Sequence, residues 1–278
     1  MLSNEYAILN ISSAILVSDT QNTHTQMAAI RFLALAFLFA CGASEPINEK
    51  EGRIIGGTTT TITSYPYIAS LHKGTEHICG ATIINSEWLV TAASCISIPN
   101  AREYLVRVGS TYSSSGGNVY QVSKIYRHEF FDLNTMDNDI ALVRLSTGVI
   151  FGTNVQSISL QESDVSDGTS ATVLGWGTIS EGGAQSNILK QVAVPVVSAH
   201  SCNTSYDTYG GITDNMLCAG YNEGGVDACQ GDTGGPLVAS GHIIGIVSWG
   251  AGCGHTAFPG VYTKVSAYRE WIRDETGV

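Results

Sequence analysis

The sequence predicts an all-β protein closed by a helix, and three observations carry that prediction. Short runs rich in β-branched residues, Ile78–Ile84, Tyr104–Val108, Ala171–Leu174, Val192–Val196 and His242–Ser248, are bounded by Gly, Ser or Asn. In one of them Val192, Val194 and Val196 alternate with their neighbours, the two-residue period of a half-buried strand. The 31 glycines in 278 residues supply turns between many short strands, as in a sandwich or a barrel. The helix is expected over Lys264–Glu275, where Val265, Tyr268 and Ile272 share one face with Trp271 beside them.

In chain order, residues 1–26 carry no usable pattern and are read as an upstream extension. After Met27, Arg31 precedes the apolar run Phe32–Ala40, and the small residues Cys41-Gly42-Ala43-Ser44 follow. A basic residue, a short apolar core and small residues for cleavage make a signal-peptide pattern, so residues 1–43 are set aside as extension and signal. The apolar run is too short for a bilayer, which takes about 20 residues. Residues 44–53 are polar, charged and aperiodic, and are read as a propeptide ending at Arg53. The remainder, 54–278, shows no repeat, linker or low-complexity block.

Composition sets the outer limits. With 44% hydrophobic and 13% charged residues the chain is globular. A formal charge of −11 argues against nucleic-acid and anionic-membrane partners. A secreted, extracellular monomer is expected. If Cys41 leaves with the signal, six cysteines remain, enough for three disulfides in an oxidising compartment. Spacing alone leaves fifteen pairings open. Asn203-Thr204-Ser205 is a glycosylation triplet, with Asn203 as acceptor.

The stretch Asp227–Pro236, D-A-C-Q-G-D-T-G-G-P, suits neither strand nor helix. Its glycines allow sharp bends and close approach, and a bend that aims successive N–H groups at one point binds an anion. The stretch resembles the active-site loop of the chymotrypsin-fold serine proteases, trypsin branch, whose pattern is G-D-S-G-G-P. Further motifs carry the resemblance in order over residues 53–278: R-I-I-G-G at Arg53–Gly57, T-A-A-x-C at Thr91–Cys95, N-D-I-A-L at Asn138–Leu142, G-W-G at Gly175–Gly177 and S-W-G at Ser248–Gly250. It implies two six-stranded antiparallel β-barrels, about 54–155 and 156–263, then the helix. It also implies the pairings Cys79–Cys95, Cys202–Cys218 and Cys229–Cys253, each closing a loop worth about 3 kcal/mol by chain-entropy arguments. Arg53–Ile54 becomes the zymogen cleavage bond, with the freed ammonium of Ile54 pairing with Asp232.

For chemistry, the resemblance implies a cleft holding three triad positions, two of them substituted. Asp139 matches the acid that orients the base, Ser94 stands where the family has histidine, and Thr233 stands where it has the serine nucleophile. A serine hydroxyl is far too weakly basic to act as the base near neutral pH. The β-branch of threonine stiffens and crowds the nucleophile position. The N–H groups of Gly231 and Thr233 match the oxyanion donors. The substrate-binding positions are retained: Asp227 at the base of the specificity pocket, Gly250 and Gly260 keeping it open, and Ser248-Trp249 along the cleft. A charge-assisted bond from Lys or Arg to a buried carboxylate is a strong anchor.

The expected function is therefore a catalytically inactive trypsin-like homologue. It would hold a protein or peptide with exposed Arg or Lys, trypsin inhibitors and active proteases among them. A weakly active trypsin-like endopeptidase is the alternative, and a structural or storage role the third. The seven histidines, His24, His72, His77, His128, His200, His242 and His255, show no metal-ligand spacing, and each is read as structural. The loop Ser110–Tyr120 has no Asp or Glu, so no calcium is expected there, nor any other metal or cofactor.

Overall fold

The structure, a computed structural model, describes residues 55–98 and 100–278. Arg53, Ile54, Cys41 and the expected signal and propeptide segments lie outside the described residues.

The chain opens with a two-residue strand, β1 (Thr58–Thr59), then lays down β2 (Ile68–Lys73), β3 (Glu76–Ile83), β4 (Trp88–Thr91), β5 (Tyr104–Val108), β6 (Asn118–Arg127) and β7 (Ala141–Leu145). The last six close into an antiparallel barrel in the order β2-β3-β4-β7-β6-β5. Next come β8 (Ser159–Leu160), β9 (Ser170–Gly175), β10 (Lys190–Val197), β11 (Met216–Ala219), β12 (Pro236–Ala239), β13 (His242–Trp249) and β14 (Gly260–Lys264). Six of these form a second ring, β9-β10-β11-β14-β13-β12, closed by pairing of β9 with β10. The short strand β8 adds in parallel to β13. Although β1 precedes the first barrel in the chain, it pairs with β10 of the second.

Alternation sets which face each strand buries. In β10, Val192, Val194 and Val196 turn into the second core, and their neighbours are half-buried or exposed. In β5, Tyr104, Val106 and Val108 do the same in the first. Each such side chain removed from water contributes about 1.5–3 kcal/mol. The helix α1 (Ala199–Ser205) is capped by Ser198 Oγ, which accepts from the Ser201 N–H. The chain ends in a 3₁₀ turn, Val265–Tyr268, running into α2 (Arg269–Thr276). As the periodicity predicts, Val265, Tyr268 and Ile272 are buried there and Trp271 packs against the first core.

Three disulfides join Cys79 to Cys95, Cys202 to Cys218 and Cys229 to Cys253. Hydrogen bonds fix one barrel against the other. The Gly80 N–H of β3 donates to Thr233 O (2.8 Å), and the Thr263 hydroxyl of β14 donates to Asp139 O (2.7 Å). Asp137 accepts from the Thr213 hydroxyl (2.7 Å) and the Asn215 amide (3.1 Å). The cleft that carries the candidate site is thus defined by both cores.

Candidate active site

The loop between β11 and β12 is built around a buried carboxylate. Asp232 is completely buried and accepts from the backbone N–H groups of Gly177 (2.7 Å) and Cys229 (3.0 Å). A Cβ on either Gly175 or Gly177 would run into that carboxylate, which gives the G-W-G motif its physical reason. Burial pushes the Asp232 pKa up to about 7. The adjacent Thr233 is held by its carbonyl, which takes the Gly80 N–H. Among the described residues, neither the Gly231 nor the Thr233 N–H is spent on an internal acceptor.

Across the cleft, the 3₁₀ turn Ala93–Cys95 after β4 presents Ser94 to Asp139. The Ser94 N–H donates to one Asp139 carboxylate oxygen (2.7 Å) and its hydroxyl to the other (3.0 Å). The Ser248 hydroxyl, from β13, donates to that second oxygen as well (2.6 Å). Burial raises the Asp139 pKa, opposed by these donors. The carboxylate is therefore satisfied by serines from both barrels, and no imidazole among the described residues touches it or the Thr233 hydroxyl.

The nearest histidine chemistry points elsewhere. His77 Nε2 lies 3.0 Å from Gly231 O, and a carbonyl only accepts, so Nε2 carries the proton. Its Nδ1 then accepts from the Ser70 hydroxyl (2.7 Å), and Ser70 Oγ lies 2.8 Å from His72 Nε2. The two His77 contacts tie the loop at Gly231 to the first barrel. Burial holds the His77 pKa down at about 4, so the ring is neutral over most of the pH range.

Beside Thr233 opens a cavity of about 320 Å³, with Asp227, Ser248, Trp249, Gly250, Gly260 and Tyr262 in its wall. Asp227 is 4% exposed. Its Oδ2 accepts from the Gly254 N–H (3.0 Å), while its Oδ1 is unpaired. The Tyr262 hydroxyl and the Trp249 ring N–H are also buried without a partner. A Cβ on Gly260 would stand 2.6 Å from Asp227 Oδ1, so only glycine leaves that oxygen room. Burial pushes the Asp227 pKa up to about 6.

The model of the family described as trypsin matches residues 54–272. The chain belongs to the trypsin family. Trypsin alpha of Drosophila melanogaster is 43% identical over 251 residues, 88% of this chain and 97% of that protein. The vitellin-degrading protease of Bombyx mori is 42% identical over 252 residues, covering 90% and 94%. Trypsin 5G1 of Aedes aegypti is 37% identical over 267 residues, covering 91% and 100%. These relatives place the chain in the serine endopeptidase family, and the family match agrees with the two barrels.

Within this trypsin-family chain, Ser94, Asp139, Ser248 and Thr233 meet at one cleft, with Asp227, Trp249, Gly250 and Gly260 in the adjoining cavity. Asn203 stands apart on α1, exposed, its side-chain oxygen accepting from the Ile212 N–H (3.0 Å). Three features are absent from a motif-based reading. The Ser70, His72 and His77 chain is one. Another is Arg107, whose guanidinium donates to the carbonyls of Ser113, Ser114 and Gly116. The third is Glu181, which lines the Asp227 cavity and is bonded to His255 (2.7 Å). Only the last pairs a carboxylate with an imidazole, and the two residues are too far apart in sequence to form a motif. Among the described residues no group of His, Cys, Asp and Glu is arranged to hold a metal ion, and no helix is long and apolar enough to cross a membrane.

Proposed function

We propose that this trypsin homologue holds proteins by a basic side chain and does not cut them. The observation that carries the reading is the Asp139 carboxylate, which meets the hydroxyls of Ser94 and Ser248 where acyl transfer needs an imidazole. In a related triad, loss of the base alone costs about 10⁶ in turnover, roughly 8 kcal/mol. The branched Thr233 adds steric crowding at the attacking oxygen. The grip is retained, because an unpaired carboxylate oxygen at the foot of a 320 Å³ cavity suits the head group of Arg or Lys.

The protein is secreted and matures by cleavage at Arg53–Ile54. The new ammonium turns in toward Asp232, whose burial without a counter-charge is costly. Support comes from Ile55, whose carbonyl accepts from the Asp227 N–H (3.2 Å) and so docks the segment beside this loop. Ligands of this site are protein inhibitors of trypsin or substrates, bound without turnover. Titrating Arg53-cleaved protein with a basic trypsin inhibitor should give micromolar or tighter binding; no binding at that concentration rejects the reading.

The retained Thr233 hydroxyl and the two uncommitted N–H groups favour a second reading, slow hydrolysis with a histidine of the substrate supplying the base. Arginyl substrates with and without a neighbouring histidine separate the two. Equal, inhibitor-resistant silence on both removes it.

A further inference from the structure

Two loops meet over the mouth of the Asp227 cavity. From the segment after Trp176, Glu181 reaches across, and its Oε2 meets His255 Nε2 at 2.7 Å on the segment between β13 and β14. Its other oxygen, Oε1, faces Gly252, at which an added Cβ would stand 3.0 Å from it. Gly252 and Glu181 both line the cavity that Asp227 closes at its foot. The Glu181–His255 pair is about half exposed, 49% and 52% by side chain, so its bond is in exchange with water. The cavity therefore has a buried, unpaired carboxylate oxygen at its base and an exchangeable carboxylate at its rim, with the unpartnered Tyr262 hydroxyl in its wall.

We propose that Glu181 is a second anionic station of this site, so that its preferred ligand carries two cationic groups, as two neighbouring Lys or Arg side chains of a polypeptide do. One cation enters to Asp227; the other stops at the rim and takes Glu181 from His255. The inference rests on the reading of the cavity as a grip for basic side chains. It goes beyond that reading by naming a position outside the pocket and a second charge on the ligand. The rim contact is worth what an exposed ion pair is worth, and it weakens as salt rises.

The test compares benzamidine with bis-benzamidines joined by alkyl chains of graded length, by calorimetry at low salt. Two identical heads alone give about a twofold statistical gain. At the best chain length the dication should bind about sixfold to tenfold more tightly than benzamidine, the excess coming from the rim contact. In Glu181→Gln that ratio should fall to about twofold, and in His255→Gln it should rise, since Glu181 loses its competitor. Glu270→Gln, on α2 outside the cavity, controls for net charge and should keep the full ratio. A blocked peptide containing Arg-Arg should show the same excess over one containing Arg-Ala. Spermidine displacing benzamidine as well as the peptide does would overturn the polypeptide assignment.

If benzamidine binds but the excess survives Glu181→Gln, the second station is wrong and the pocket reading stands. If benzamidine does not bind at all, both fall.

Discussion

An ionised carboxylate at Asp227 sits away from water, with Oδ2 on the Gly254 N–H and Oδ1 on nothing. Burial lifts its pKa from 3.8 to about 6, so the folded protein binds that proton more tightly than the unfolded chain does. The contribution to stability is present in full below about pH 4 and is lost as pH rises through 6. At pH 7 the ionised group costs roughly 2–3 kcal/mol, which a cationic ligand offsets on binding. Asp227→Asn keeps the shape and removes the charge, so it should raise stability at pH 7 by about 1–2 kcal/mol and give no gain at pH 4. Benzamidine binding should be lost in the same variant. In the parent, affinity should fall about tenfold per pH unit below pH 6. Melting curves and calorimetry at the two pH values check all of this, and a pH-independent affinity would contradict the assignment of the anchor.

The segment between β5 and β6 shows how one side chain can hold a whole connection. Arg107 donates from Nε to Ser113 O (3.0 Å) and from Nη2 to Ser114 O (3.2 Å), and from Nη1 to Gly116 O. The loop in turn bridges the barrels, since the Ser113 N–H donates to Asn187 O (3.0 Å) and the Trp176 ring N–H to Thr111 O (2.9 Å). With its carbonyls turned onto a guanidinium and no carboxylate of its own, this loop has no place for a hard cation. Millimolar calcium should therefore leave the melting temperature unchanged. Arg107→Gln should lower stability by about 2 kcal/mol, the scale of charge-assisted hydrogen bonds, and expose residues 110–117 to proteolysis. The arginine gives no signal in sequence, because its partners are carbonyls that every residue has. The same logic divides the rest of the chain. Strand β10 was legible because its buried residues alternate, and β5 as a short run rich in β-branched residues, whereas β6, mostly exposed, carried no such alternation. Ser94, Asp139 and Thr233 were legible because each sits in a local motif. Glu181 with His255, and His77 with Gly231, were not, since their partners meet only when the loops and barrels close.

At the scale of the molecule, the cleft is held by contacts that do not involve the side chains of the two substituted positions. Gly80 pins Thr233 by its carbonyl, Thr263 pins Asp139 by its carbonyl, Asp137 ties to Thr213 and Asn215, and Ser70 with His77 holds Gly231. Each tie uses backbone atoms or side chains away from Ser94 and the Thr233 hydroxyl, so changing those two leaves the frame intact. A histidine at 94 would find Asp139 already placed to orient it, with Ser248 still donating to the carboxylate. The triad acts as a unit, so its losses and gains are not additive. Ser94→His alone meets a crowded threonine, and Thr233→Ser alone has no base. Each single variant, cleaved at Arg53, should therefore stay near background. The double variant should hydrolyse arginyl and lysyl substrates at least about 10³-fold faster than either, within the range that a complete triad adds. Steady-state assays on protein freed of activating trypsin measure this. A double variant that folds and binds benzamidine yet stays silent would show that the two barrels no longer set the distance the chemistry needs.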